Sequence, residues 1–312
     1  MRKIILLILV LSIGKSEFGG GYAGAPMRYG SNAREIALAG ALIAESNTGF
    51  HQFSNPALLP NVDNIEFGVS YFQMSLDRSI QLLTVNRKLP PKAGAGLSIF
   101  RAGVDNIQGR DYYGNKTEML SSNDIYGMLS FGVSFTSKVS AGLNLKIMFN
   151  ELLAKYDELS PKFNSQGIGL DFGFLYNFSN KLSFGGKYSN ILAGTTWKVD
   201  LDDQQKSYEE QLPQILSAGI KYQIIPEAKL LVQWDGIRSA DHEFESKYRV
   251  GLEYIYDGIF MLRSGLNNFS PTFGFGLIIS AWNQKNIQMD YSLDYGRRGE
   301  GLSHNFSWWM EM

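Results

Sequence analysis

The sequence contains no cysteine, which excludes a disulfide framework, a thiolate metal site, a cysteine nucleophile and a lipid-anchored bacterial N-terminus. Proline is scarce, at 9 residues, and charged side chains make up only 19% of the chain. With 29 basic and 30 acidic residues the net charge is −1, so nothing electrostatic points to a nucleic-acid partner. Mean hydropathy is −0.13, far from that of a protein built of membrane-spanning helices, each needing about 20 apolar residues. What the chain does have is 33 Gly, 16 Tyr and 20 Phe. That mixture describes many strands joined by tight turns, in water or in lipid.

The N-terminus suggests the compartment. Met1-Arg2-Lys3 is a short basic region, followed by the apolar run Ile4 to Ile13 and by small residues at Gly14 and Ser16. This is the layout of a secretory signal peptide, expected over residues 1–16.

From about Ile65 to the end, apolar residues alternate with small or polar ones. In Val139 to Asn150 the odd positions Val139, Ala141, Leu143, Leu145, Ile147 and Phe149 are apolar, and the even positions are small or polar. Side chains alternate across a strand, so each such segment has one oily and one polar face. The segments approach the roughly 9–11 residues that a tilted strand needs to cross a bilayer. Tyr71, Trp234, Tyr254, Tyr256, Trp282 and Tyr295 sit towards segment ends, as interfacial aromatics do.

Fourteen segments can be marked, the first at 65–75 and the last at 302–311. Connections after even-numbered strands are brief, such as Pro90-Pro91 and Ser179-Asn180. The long ones, near 104–122, 151–163 and 192–212, follow odd-numbered strands. Outer-membrane barrels have short periplasmic turns and longer outer loops. The expected architecture is all-β, a 14-stranded antiparallel transmembrane β-barrel over residues 65–312 in the bacterial outer membrane. Outer-membrane lipid is then its first partner. Lys146, Asp171, Lys187, Lys221, Arg249, Glu253, Asp290 and Asp294 fall on the inward parity, together with Phe72, Met74 and Phe100. Phe306 and Trp308 fall on the lipid side, opposite Ser303 and Ser307.

Residues 17–64 do not alternate. Their apolar members Ile36, Leu38, Leu42, Ile43, Phe50 and Phe53 argue against a disordered tail, and the expected role is an N-terminal plug segment. Asn55-Pro56 reads as a sharp turn into the first strand.

No catalytic, cofactor or metal constellation is visible, and the chain reads as non-enzymatic. His51, His242 and His304 show no ligand spacing. His304 lies near Ser303 and Ser307, but those serines have the opposite parity. Gly19-Gly20-Gly21 lacks the Lys-Ser/Thr of a phosphate loop. Asp200, Asp202, Asp203, Glu209 and Glu210 read as a solvated outer loop.

Several stretches carry a family likeness. Ala33-Arg34-Glu35-Ile36-Ala37-Leu38-Ala39-Gly40-Ala41 resembles the opening motif of the PorV/PorQ family of outer-membrane proteins. Asn55-Pro56-Ala57-Leu58-Leu59 resembles the motif that follows it. The likeness continues through Gly109-Arg110-Asp111-Tyr112-Tyr113-Gly114-Asn115-Lys116-Thr117 and through Ser122-Asn123-Asp124 entering a strand. Ala39 and Leu58 depart from the usual glycines. The resemblance implies a fourteen-stranded barrel of the FadL-like superfamily with its N-terminal segment inside or beneath it. It marks Arg34, Gly40, Asn55, Pro56 and Ala57 as motif residues of the plug and the plug-to-barrel turn. It also implies a protein-interaction component of a type IX-like secretion or surface-attachment system, with secreted cargo or other secretion-system components as partners. The alternative is a FadL-like transporter for small hydrophobic compounds.

Overall fold

The computed structural model describes residues 23–46, 49–154, 163–201, 204–239, 244–268, 270–280, 286–294 and 301–312. The expected signal peptide, His242, Trp282 and Tyr295 lie outside the described residues, as do Asp202 and Asp203. Fifteen strand segments follow one another: β1 (Ile65–Met74), β2 (Arg78–Leu89), β3 (Ala93–Arg110), β4 (Lys116–Ser134) and β5 (Val139–Ala154). Next come β6 (Phe163–Asn177), β7 (Leu182–Leu201), β8 (Gln204–Gln211), β9 (Gln214–Ile225) and β10 (Ala228–Arg238). The last are β11 (Glu245–Tyr256), β12 (Phe260–Asn267), β13 (Ser270–Ser280), β14 (Asn286–Asp294) and β15 (Ser303–Glu311).

All neighbours are antiparallel, and β1 pairs with β15 from Glu66↔Glu311 to Gln73↔His304, so the sheet closes on itself. β8 and β9 are two halves of one stave. β8 pairs with the outer half of β7 and β9 with its first half. The fifteen segments therefore build a closed 14-stranded barrel. The interruption falls at Leu212-Pro213, because proline has no N–H to give to a ladder. On β7 the opposite side of the break holds Asn190 and Leu192 at φ 61° and 52°. The Asn190 side chain donates to the Pro213 carbonyl at 2.9 Å, and Leu212 N–H donates to Ala193 O at 3.0 Å.

The parity read from the sequence holds. Leu97, Ile99, Leu129, Phe131, Leu143, Leu145, Ile147 and Phe149 are exposed on the outer face. Ser98, Ser130, Asn144, Asp171, Ser292, Asn305 and Ser307 are buried on the inner one. A closed ladder leaves no strand edge for hydrocarbon to solvate, and an oily outer face suits lipid. The protein is an outer-membrane β-barrel. Outward rings pack side by side across the last strands, with the tilted pairs Phe275–Tyr291 and Tyr291–Phe306 at centroid distances of 5.2 Å and the stacked pair Phe306–Trp308 at 6.4 Å.

One expectation needs correction. The spans 104–122 and 192–212 are not loops but outward extensions of strands, since β3 and β4 stay paired as far as Arg110↔Lys116 and β7 and β8 as far as Leu201↔Gln204. Both faces of the β3–β4 extension meet water, so no alternation marked it as strand. Ser122-Asn123-Asp124 accordingly lies inside β4 rather than at its start, and Glu209 and Glu210 lie on β8. Ser307 faces inward as expected, and its hydroxyl accepts the Ala33 N–H at 3.1 Å, so the N-terminal segment lies against the inner face.

A lysine on the lipid face costs about 2–4 kcal/mol at the bilayer midplane and about 0–1 kcal/mol near its surface. Leu145→Lys, in mid-β5, should therefore impair barrel assembly far more than Phe178→Lys, beside the turn after β6. Heat-modifiable mobility on gels measures both. Equal loss would contradict the assigned membrane depth.

Candidate functional site

The site is the lumen and the N-terminal segment within it. The segment begins with a 3-10 turn at Ala25–Arg28 and a short helix at Ala33–Ala37. Asn32 caps that helix, its side-chain oxygen accepting the Glu35 N–H at 2.9 Å, while Glu35 accepts from Ser31 N at 2.8 Å and from Ser31 Oγ at 2.6 Å. This reciprocal cap satisfies donors that a one-turn helix cannot pair internally. Ala39 and Gly40, at φ 57° and 81°, end it. A side chain at Gly40 would also strike the Arg249 guanidinium, at 2.1 Å from its Cβ.

A second short helix, His51–Ser54, runs into the 3-10 helix Pro56–Asn61. Asn55 is fully buried and joins the two. Its Oδ1 accepts the Ala57 N–H at 3.0 Å, and its Nδ2 donates to Ile43 O at 3.0 Å and Phe174 O at 2.9 Å. One side chain thereby holds the turn, the preceding chain and the barrel wall. Pro56 fits the first helical position because its missing N–H would have no partner there. The wall makes room for it: a Cβ at Gly142 would lie 2.4 Å from Pro56 C, and one at Gly173 2.1 Å from Asn55 Oδ1.

On the other side of the lumen a charge cluster joins segment to wall. The Arg34 guanidinium is bidentate on Glu253, with Nε–Oε2 at 2.8 Å and Nη2–Oε1 at 2.9 Å. Lys229 lies 3.1 Å from both Glu45 and Glu253, and Arg263 lies 2.6 Å from both Glu253 and Asp290. Three cations face three carboxylates, all buried, so the cluster is neutral. Burial would raise the Glu45 carboxyl, but Lys229 and Arg34 hold it below the ordinary carboxylate range. Elsewhere Lys146 meets Asp171 at 2.9 Å, Arg249 meets Asp235 at 2.8 Å, and buried His51 meets Glu66 at 2.9 Å.

The five motif residues thus share one segment but make two groups. Arg34 and Gly40 face β11 and its neighbours; Asn55, Pro56 and Ala57 face β4–β7. Parity alone located Glu253 and Asp290. It also held the signal for Lys229 and Arg263, on inward positions that the sequence reading passed over. Glu45 had no periodic signal. Lys221 and Asp294 also sit inward, and Asp294 accepts the Tyr29 hydroxyl at 2.5 Å. His304 lies on the outer face, 2.9 Å from the Tyr291 hydroxyl.

The lumen wall is not polar throughout. Phe72 and Met74 of β1, Ile80 and Leu82 of β2, Phe100 and Ala102 of β3, Tyr126 and Met128 of β4, and Met148 of β5 form one buried apolar stripe. Phe100 and Tyr126 stack at 4.7 Å. Met27, Tyr29, Ile36 and Phe53 of the segment cover the stripe. A cavity of about 80 Å³ remains beside the stripe, with Met27, Tyr29, Phe53, Phe100 and Tyr126 on one side and Arg28, Ser31 and Glu35 on the other. A larger one of about 160 Å³ lies between the segment and β5–β11 and reaches the wall at the Asn190 and Leu212 break.

Removing one member of a buried charge cluster leaves the others uncompensated, at about 3–5 kcal/mol. Arg34→Met should leave heat-modifiable mobility intact and make the N-terminal segment sensitive to protease. Acidification should act in the same direction, because a carboxylate with a depressed pKa, such as Glu45, stabilises above its unfolded value of about 4 and loses that contribution below it. Unchanged protease resistance of the variant across this pH range would contradict the anchoring.

No protein-family model and no curated protein matches the chain at a significant level. Solved structures do. The Pseudomonas putida toluene transporter TodX superposes with TM-score 0.62 at 14% identity, covering 90% of this chain and 96% of its own. The CymD monoaromatic hydrocarbon channel gives TM-score 0.61 at 14% identity over 90% and 96%. A Pseudomonas aeruginosa FadL homologue gives 0.57 at 10% identity over 90% and 97%. At these identities the likeness concerns fold, and the fold of this chain is that of the FadL-like outer-membrane barrels.

Proposed function

We propose that this protein is an outer-membrane transporter for small hydrophobic compounds, with residues 17–64 acting as its plug. The observation that carries this reading is the buried apolar stripe on the inner wall of β1–β5. The stripe is covered by Met27, Tyr29, Ile36 and Phe53 of the segment, and because such apolar packing is non-directional a small hydrocarbon can take their place. Burying apolar surface contributes about 25 cal/mol per Å², so the strip offers a hydrocarbon a place to leave water. Sites for small hydrophobic molecules are concave and mostly apolar, with a few polar groups at the margin. Glu35, held by Ser31, supplies that margin. Fold likeness to a toluene transporter and a monoaromatic hydrocarbon channel supports the same class of compound.

In this reading Asn55, Pro56 and Ala57 fix the plug to β4–β7, and Arg34 with Gly40 fixes it to the wall around β11. The stretch Met27–Tyr29, over the stripe and ahead of the Arg34 anchor, is the part a ligand displaces.

A second reading rests on the PorV/PorQ-like motifs: a protein-interaction barrel in a type IX-like secretion system. The neutral, fully buried charge cluster favours it, since a locked plug suits a barrel that carries nothing. Uptake separates the two. Proteoliposomes holding the protein should take up labelled toluene faster than empty vesicles. Phe100→Asp should reduce that uptake by about tenfold, the loss expected when an aromatic contact is replaced by a charge. Uptake equal to that of empty vesicles, with exported proteins co-purifying stoichiometrically from the envelope, would support the secretion reading instead.

A further inference from the structure

The stretch Gly109 to Thr117, one of the motif-like segments, plays no part in the lumen. It forms the end of the β3–β4 hairpin, which rises from Val104 by six residues, or about 20 Å at the rise of a β-strand. One carboxylate gathers several donors of the turn at its tip, beside the backbone bonds Asp111 N–H to Asn115 O and Gly114 N–H to Asp111 O, both 3.0 Å. Asp111 accepts the Tyr113 N–H at 2.9 Å, the Asn115 N–H at 2.8 Å and the Asn115 side-chain amide at 2.9 Å. Gly114, at φ 84°, closes the turn, and Arg110 donates to its carbonyl at 2.8 Å. These bonds also hold the exposed Asp111 carboxyl below its ordinary range, the Asn115 side chain contributing most.

Two rings crown this turn. Tyr112 is 97% exposed and Tyr113 85% exposed. Their centroids are 5.6 Å apart and their planes nearly perpendicular, at 85°. The rings therefore add little to the stability of the barrel, yet the turn presenting them is tied down. An ordered turn with two open aromatic faces is a preorganised contact surface, since a tyrosine ring offers large area at small entropic cost.

The chemistry around the tip selects the partner. Arg110, Asp111, Lys116 and Glu118 are all exposed beside the rings, so the tip cannot enter hydrocarbon without carrying charge into it. Two rings are also far less than the roughly 800 Å² per partner of a standard protein interface. A sugar ring fits both limits. Its C–H face stacks on an aromatic ring, and its hydroxyls find Asp111, Asn115 and Lys116 within the same turn. We propose that the Tyr112–Tyr113 tip is a carbohydrate-binding site, engaging the saccharide chains that stand above the outer leaflet.

The test uses the full-length barrel in detergent and the water-soluble oligosaccharide released by mild acid from lipopolysaccharide of the same bacterium. Saturation-transfer NMR titration gives the affinity, with the transfer expected on ring C–H protons. Tyr112→Ala/Tyr113→Ala should weaken binding by about tenfold, the worth of two modest aromatic contacts. Asp111→Ala keeps both rings and unties the turn, and should weaken binding by a smaller factor. Both variants should keep wild-type heat-modifiable mobility, because no ring or bond of the tip reaches the barrel. No transfer to the oligosaccharide on the wild-type protein at millimolar concentration overturns the proposal. So does equal binding by the double tyrosine variant. Capture of an exported protein through the same two rings, without sugar binding, overturns it in favour of protein docking.

Discussion

Backbone N–H and C=O groups in hydrocarbon have no water to turn to, and closure of the sheet is the only way these strands can satisfy them. The β1–β15 ladder provides that closure. Once the ring is closed, every strand must give one face to lipid and the other to the lumen, and the period-two pattern follows. The inner face is then forced to be small where the backbone of the N-terminal segment comes closest to the wall. Gly142 and Gly173 let Pro56 and Asn55 come within contact of the wall backbone. The seat of the N-terminal segment, the charge cluster and the apolar stripe all depend on which residues the closed ring turns inward.

The lumen divides its work by side. Around β10–β14 the wall offers Lys229, Glu253, Arg263 and Asp290, which match Arg34 and Glu45 in a neutral set. Across β1–β5 it offers Phe72, Leu82, Phe100 and Met128, which meet Met27, Tyr29 and Phe53. The first contact is directional and costly to break. The second is non-directional, so one apolar group can stand in for another. A hydrophobic ligand could therefore replace the segment on the stripe while the ion pairs keep the rest of the segment in place.

Strand number and inside-outside parity were legible because lipid enforces a strict alternation, as in Val139 to Asn150. The inward positions of Asp171, Arg249, Glu253, Phe72 and Phe100 followed from it. Alternation fails where both faces meet the same solvent. For that reason the β3–β4 and β7–β8 extensions read as loops, although they are paired strands. Pro213 carried the signal for the divided stave, but the matching irregularity at Asn190 and Leu192 depends on pairing and has no local mark. The N-terminal segment gave only its composition. Its motif residues Arg34, Gly40, Asn55, Pro56 and Ala57 were visible as a resemblance, while the positions of Ile43 and Glu45 are set by tertiary contacts with the wall.

The central claim is that the apolar stripe is where a hydrophobic compound binds. Diffraction from crystals soaked with a brominated aromatic hydrocarbon measures this directly, through the anomalous signal of bromine. The account expects a bromine peak inside the barrel, between Phe100 and Tyr126 and the displaced Met27–Tyr29 stretch. Bromine found only along the lipid-facing belt, with Met27 and Tyr29 still on the stripe, would contradict it.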